Sequence, residues 1–129
     1  MLDHLSIQCV DFEAATHFYD TVLPTIGGSR IMDFGEVIGY GVGFQPTFWI
    51  GPTAPGPDGT PVPNREVHIA FQAADHAAVD AFFAAAVGLG AGVIQEPRQC
   101  PEYHPNYYGG FVRDPDGNNV EAVCHLPQP

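Results

Sequence analysis

The chain has 129 residues and a mass of 13.8 kDa, which suits one compact domain or two small modules that share a core. It carries 15 acidic and 4 basic residues, so its formal net charge is −11. Such a surface repels phosphate backbones and anionic lipid, and we therefore expect no nucleic-acid partner and no membrane partner. The sequence contains no lysine, which excludes a Schiff-base mechanism.

The first residues and the cysteines indicate where the protein works. The N-terminal stretch MLDHLSIQCVD lacks the basic segment and apolar core of a signal peptide. The three cysteines are odd in number and lack the pair spacing of metal-binding cysteines. Both features predict a cytoplasmic protein without a disulfide framework.

Two stretches of the sequence resemble each other at a constant spacing of 64 residues (68 − 4 for the first pair). The matching pairs are His4 and His68, Asp11 and Asp75, and Gly28 and Gly92. A constant offset with matching residue types predicts a duplicated structural unit. We therefore expect one domain over residues 1–129, built from module 1 (residues 1–62) and module 2 (residues 64–129) that pack together.

Each module is predicted to have the element order βαβββ, which makes the fold class α+β. Asp11 and Asp75 have the side chains of helix N-caps, and the apolar residues that follow them recur at helical spacing. The predicted strands cover residues 2–10, 29–34, 37–44 and 47–51 in module 1, and residues 66–72, 92–96, 107–113 and 118–125 in module 2. Residues 114–117 read as a hairpin turn. The proline-rich segment 52–63 is either a linker or a flap over a binding cleft.

Alternation along the strands places three possible metal ligands on polar faces. His4, His68 and Glu121 each point away from the apolar face that must pack under the helices. A single such residue is usually plain surface, but His4 and His68 occupy equivalent positions in the two modules. Two imidazoles and one carboxylate are the ligand set of a facial triad with open coordination positions.

Three segments carry a resemblance to a known family, namely DHLSIQCVDFEAATHFY, VHIAF and GGFVRDPDGNNVEAV. The pattern resembles the vicinal oxygen chelate superfamily, which includes glyoxalase I, extradiol dioxygenases and bleomycin resistance proteins. The resemblance implies two tandem βαβββ modules that form a curved mixed sheet around a cleft, in a homodimer. It implies that His4, His68 and Glu121 bind one divalent metal ion, either within one chain or across the dimer.

The chain departs from glyoxalase I at one position. Members of that type carry a fourth ligand, commonly a carboxylate, where this chain has Trp49, and indole cannot bind a metal ion. The ligand types suit iron, manganese, nickel or zinc and do not choose among them. His104 is the candidate general base, because the ordinary pKa of histidine lies near neutrality. The residues expected to line the substrate cleft are Trp49, Gln8, Gln72, Tyr103 and Tyr107.

Two functions follow from the resemblance. The first is a metal-dependent enzyme that acts on a small molecule through bidentate oxygen chelation, as a lyase, an isomerase or a ring-cleaving dioxygenase. The alternative is a binding protein without catalysis, like bleomycin resistance proteins, that sequesters a cationic small molecule. The net charge of −11 suits the alternative. The complete ligand triad favours the enzyme.

Overall fold

A computed structural model describes residues 2–53 and 67–127 of the chain. Most of the proline-rich segment, predicted to be a linker or a flap, lies outside these residues. The strands are β1 (Leu5–Cys9), β2 (Ser29–Asp33), β3 (Ile38–Gly41), β4 (Phe48–Pro52), β5 (His68–Gln72), β6 (Val93–Gln99), β7 (Tyr108–Arg113) and β8 (Asn119–Cys124). The helices are α1 (Phe12–Val22) and α2 (His76–Gly88). No helix in this part of the chain is long and apolar enough to span a membrane.

The predicted α+β fold with two βαβββ modules is confirmed. The strands form two four-stranded sheets, with the orders β1-β4-β3-β2 and β5-β8-β7-β6. In each sheet the first strand of the module lies at one edge and pairs in parallel with the last strand of the module. The other two strand pairs are antiparallel. The same strand order in both sheets is the structural counterpart of the duplication in the sequence.

The helices begin where the sequence predicts. The carboxylate of Asp11 accepts a hydrogen bond from the backbone N–H of Ala14, at 2.9 Å, and that of Asp75 accepts one from Ala78, at 2.7 Å. Each bond satisfies a backbone donor that the first helical turn leaves without a partner. The predicted alternation holds in β1, whose apolar face is buried in a core that both helices share while Ser6 and Gln8 are exposed. In β8 both faces are buried, including Glu121 and Val123 on the face predicted to be polar.

Several strand ends differ from the prediction for local reasons. The strand predicted over residues 37–44 ends at Gly41, and Gly43 follows with a φ of +78°, a left-handed conformation that favours glycine. The strand predicted over residues 92–96 extends to Gln99 and includes Pro97. This strand lies at the edge of its sheet and its register shifts between Gln95 and Arg98, where proline is tolerated.

The hairpin turn between β7 and β8 ties the two modules together. The buried carboxylate of Asp114 accepts hydrogen bonds from the hydroxyl of Tyr19 on α1, at 2.8 Å, and from the side-chain amide of Asn118, at 2.9 Å. It also accepts from the backbone N–H groups of Asp116 and Asn118. A polar network that is buried and fully paired fixes how its elements meet. The turn therefore positions α1 of module 1 against the hairpin of module 2.

Cys9 lies next to this turn, and its thiol provides a prediction about pH. Burial, followed by the charges of Asp116 and Asp114, raises the pKa of Cys9 from 9.0 to about 12. An acid whose pKa is raised by folding contributes stability that is full below its ordinary pKa and is lost as the pH rises towards the raised value. The free energy of unfolding, measured by urea denaturation, should therefore fall less for Cys9→Ala than for the wild type between about pH 8 and about pH 11. An equal or steeper fall in the variant would contradict this assignment.

Candidate functional site

The strand registers place Glu121 and Trp49 at equivalent positions in the two modules. Ser6 of β1 lies opposite Trp49 of β4, and Ala70 of β5 lies opposite Glu121 of β8. Ser6 and Ala70 are themselves separated by the repeat spacing of 64 residues (70 − 6). The correspondence between Trp49 and Glu121 inferred from the sequence therefore holds in the paired strands.

His68 and Glu121 meet on the outer face of the module 2 sheet. The distance between His68 Nε2 and Glu121 Oε2 is 2.8 Å. The Glu121 side chain is only 1% exposed, whereas the His68 side chain is 52% exposed. Burying a carboxylate costs free energy unless it has a partner, and the accessible His68 imidazole is such a partner for Glu121. Two of the three predicted ligands thus lie together.

Tyr107 and Gly109 hold the Glu121 carboxylate in place. The hydroxyl of Tyr107 donates a hydrogen bond to Glu121 Oε1, which leaves Oε2 towards His68. Burial and this hydrogen bond to a carboxylate raise the pKa of Tyr107 above its ordinary value, so the phenol stays protonated as a donor. A Cβ atom on Gly109 would come within 3.0 Å of Glu121 Oε1, so glycine makes room for the carboxylate.

His4 does not join this pair within one chain. Within residues 2–53 and 67–127, no group of three or more His, Cys, Asp or Glu side chains is placed to hold a metal ion. His4 precedes β1 in the other sheet, and its side chain is 58% exposed. Its Nδ1 is 2.6 Å from a carboxylate oxygen of Asp3. A carboxylate on one nitrogen of a histidine orients the other nitrogen, here Nε2, for a ligand.

The spacing of the His68–Glu121 pair is that of a hydrogen bond and is also compatible with two ligands of one metal ion. Bonds from a first-row metal to imidazole nitrogen and carboxylate oxygen are about 2.0–2.2 Å long. Two such ligands at a right angle lie about 3 Å apart, close to the 2.8 Å between His68 Nε2 and Glu121 Oε2. Among residues 2–53 and 67–127, the chain therefore presents two donors at this point, and no third His, Cys, Asp or Glu joins them.

His104, the predicted general base, is paired with another histidine. Its Nε2 is 2.8 Å from Nδ1 of His125, and its Nδ1 accepts a hydrogen bond from the backbone N–H of Asn106. The ring of Tyr107 contacts both imidazoles, with centroid distances of 5.3 Å to each. Through Tyr107, the histidine pair adjoins the Glu121 carboxylate. Both nitrogens of His104 are engaged: Nε2 carries the proton that faces His125, so the ring accepts a further proton only at Nδ1, once the bond from Asn106 opens.

The residues expected in the cleft occupy different places. Tyr103 packs against Tyr107, with the ring centroids 4.9 Å apart, and so belongs to the surroundings of Glu121. Gln8 is exposed on the outer face of module 1, together with Trp49. Gln72 lines a cavity of about 530 Å³ at the junction of the modules, which His125 and the rings of Phe48 and Phe71 also line.

Sequence reasoning missed three neighbours of the predicted residues. Phe34 stacks on Trp49, Phe111 contacts the His68 ring edge-on, and His125 pairs with His104. Phe111 lies opposite Glu121 as Gly39 lies opposite Trp49, but these positions are 72 residues apart (111 − 39), so the 64-residue repeat did not reveal them. The other two contacts each involve a residue outside the strands, namely Phe34 in one and both His104 and His125 in the other, and no periodic signal in the sequence marks such contacts.

Comparison with known proteins identifies the class. The sequence matches the model of the Glyoxalase/Bleomycin resistance protein/Dioxygenase superfamily over residues 1–122, and the chain therefore belongs to this superfamily. A comparison with curated proteins gave no match.

Among solved structures, a glyoxalase/bleomycin resistance protein from Albidiferax ferrireducens is similar, with 26% sequence identity and a TM-score of 0.80 over 95% of this chain and 97% of that chain. A lactoylglutathione lyase from Agrobacterium tumefaciens, with 23% identity and a TM-score of 0.67 over 96% of this chain and 92% of that chain, shares the fold. So does a glyoxalase/dioxygenase from Nostoc punctiforme, with 18% identity and a TM-score of 0.69 over 98% of this chain and 91% of that chain.

Proposed function

We propose that this protein is a metal-dependent enzyme that acts on a small molecule through two adjacent oxygen atoms of its substrate. The observation that carries the proposal is the His68–Glu121 pair, in which a buried carboxylate oxygen and an imidazole nitrogen lie 2.8 Å apart. We further propose that His4 of a second copy supplies the third ligand, so that the protein works as a homodimer with two equivalent sites. The metal would be iron, manganese, nickel or zinc.

The side chains around the pair have distinct proposed roles. The cation would supply Lewis-acid stabilisation of negative charge on the substrate oxygens. Tyr107 orients the Glu121 carboxylate through its hydrogen bond to Oε1. Asp3 orients the His4 imidazole in the same way through Nδ1. The acidic surface, with a net charge of −11, favours entry of a divalent cation.

His104 is the proposed general base. Because Asn106 donates to its Nδ1, His104 donates its Nε2 proton to Nδ1 of His125, and it would accept a proton from the substrate at Nδ1 after the bond from Asn106 opens. The contact of both imidazoles with Tyr107, which donates a hydrogen bond to Glu121, supports this role beside the proposed metal ligands.

A mixing experiment tests both the metal and its position between two copies. His4→Ala and His68→Ala each remove one ligand, so each variant alone should bind no metal tightly. In a heterodimer of the two variants, one site lacks both ligands and the other is complete. Unfolding and refolding an equal mixture should therefore restore about one quarter of the wild-type metal content, measured by elemental analysis after desalting. His17→Ala, which removes an exposed histidine of α1, is the matched control and should keep full metal content.

The outcomes separate the alternatives. A mixture that binds no metal, while the wild type does, would contradict a site built across two copies. A wild type that binds none of the four ions would contradict the metal-dependent function. Binding of a cationic drug that survives both chelator treatment and His4→Ala would favour the sequestering protein instead.

A further inference from the structure

Two aromatic rings lie side by side on the outer face of the module 1 sheet. The rings of Trp49 and Phe34 are parallel to within 4°, and their centroids are 6.1 Å apart. Parallel rings in contact are separated by about 3.5 Å, so the centroid distance places Phe34 about 5 Å to one side of the indole. The rings therefore overlap little and present two parallel faces with a step between them, called here the aromatic shelf (Trp49 and Phe34).

The backbone beneath the shelf is fitted to the indole. Gly39 of β3 lies opposite Trp49 of β4, and a Cβ atom on Gly39 would be 2.9 Å from each of three carbons of the six-membered ring. Real Cβ atoms essentially never come that close, so any other residue at this position would displace the indole. Trp49 thus rests directly on the backbone of β3, and its ring is held flat against the sheet.

The equivalent place in module 2 has the opposite arrangement. Glu121 takes the position of Trp49, and Phe111 takes the position of Gly39. Both positions of this cross-strand pair differ between the modules. In module 1 a glycine lies under the indole, and in module 2 a phenylalanine lies opposite the carboxylate. This coupled difference indicates that the flat aromatic surface is a built feature of module 1 rather than a chance exposed tryptophan.

Exposure and charge limit what the shelf can bind. Phe34 is 68% exposed, although an apolar ring is normally buried, and Trp49 is only partly covered. A flat apolar surface gains most from a flat apolar partner, because aromatic rings stack with an offset. The net charge of −11 disfavours anionic partners. A neutral or cationic planar ring fits these conditions.

We propose that Trp49 and Phe34 form a stacking platform that selects substrates with a neutral or cationic planar aromatic ring. The link between this ring and the metal-bound oxygens rests on the proposed function, in which module 1 of one copy faces module 2 of the other. The platform itself needs only module 1. Trp49 and Phe34 are then specificity-determining residues of the site.

The single tryptophan of the chain makes the platform directly observable. Trp49 is the only indole, so its fluorescence reports ligands that contact the shelf. Phenylethylene glycol and cyclohexylethylene glycol carry the same two adjacent hydroxyl groups and differ only in the planarity of the ring. We expect the phenyl compound to shift or quench Trp49 emission and to bind about 3- to 10-fold more tightly than the cyclohexyl compound, by fluorescence and calorimetry.

Variants of two exposed phenylalanines test the geometry. Phe34→Leu removes half of the shelf without opening the core, so the preference for the phenyl compound should fall towards unity. Phe44→Leu changes another phenylalanine of module 1, which is 97% exposed, and should leave the preference unchanged. Trp49→Leu, followed by calorimetry, should abolish the preference.

Repeating the titrations without metal and in His68→Ala separates this inference from the proposed function. A preference for the phenyl ring that persists in both conditions supports the platform even if the metal site fails. Metal binding without any phenyl preference would overturn the platform and leave the proposed function standing. An effect of Phe34→Leu on oligomeric state by light scattering, with no effect on ligand preference, would also overturn it and assign the two rings to a contact between copies.

Discussion

Replacing Asp114 with alanine is expected to lower the free energy of unfolding by about 3–5 kcal/mol, the largest stability loss predicted for this chain. The Asp114 side chain is buried, and its two oxygens accept four hydrogen bonds. Without the carboxylate, the Tyr19 hydroxyl and the Asn118 amide lose their partner inside the protein. Buried polar groups that lose their partners bear the full cost of their desolvation.

Urea denaturation followed by circular dichroism measures this change. Tyr19→Phe removes one of the four bonds and should cost about 1–2 kcal/mol, because the remaining donors stay paired. Glu36→Ala removes an exposed carboxylate and should change the free energy of unfolding by less than about 0.5 kcal/mol. A loss for Asp114→Ala no larger than that for Tyr19→Phe would show that the network does not stabilise the junction of the modules.

Replacing Glu121 with alanine is expected to weaken metal binding at least about 100-fold, because it removes a charged ligand of the proposed site. Tyr107→Phe keeps the ligand and removes only the hydroxyl that orients it. We expect this variant to weaken metal binding about 10- to 100-fold. Competition with a chelating dye gives both affinities.

Tyr103→Phe is the matched control for Tyr107→Phe. Tyr103 packs on Tyr107 but has no hydrogen bond to Glu121 among the described contacts, so metal affinity should stay within about twofold of the wild type. Circular dichroism of the metal-free variants checks that each still folds. Wild-type affinity in folded Glu121→Ala would remove Glu121 from the ligand set, and equal losses in both tyrosine variants would point to packing rather than orientation.

Local patterns were sufficient to predict the elements of this fold. The two N-caps, the helical periodicity after them and the turn at residues 114–117 depend on residues close together in the chain, and each prediction is confirmed. Strand ends were less predictable, because the extension of β6 through Pro97 depends on its place at the sheet edge.

Within the candidate site too, only the contacts that follow from strand alternation could be predicted. Strand alternation predicted that His68 and Glu121 share an outer face, since side chains alternate with a period of two. It did not predict that His104 pairs with His125, or that Phe34 stacks on Trp49. Phe34, His104 and His125 all lie outside the strands, and their positions depend on the path of each loop.

The sequence by itself therefore determined the duplicated βαβββ module, the strand faces that pack under the helices, and the three candidate metal ligands on the opposite faces, although Glu121 on its face is buried. Only the tertiary structure decided that His68 and Glu121 meet while His4 lies on a separate sheet of the same chain. The physical reason is that alternation and capping act between near neighbours. The way in which two modules pack depends instead on contacts between residues far apart in the chain, such as the Asp114–Tyr19 hydrogen bond.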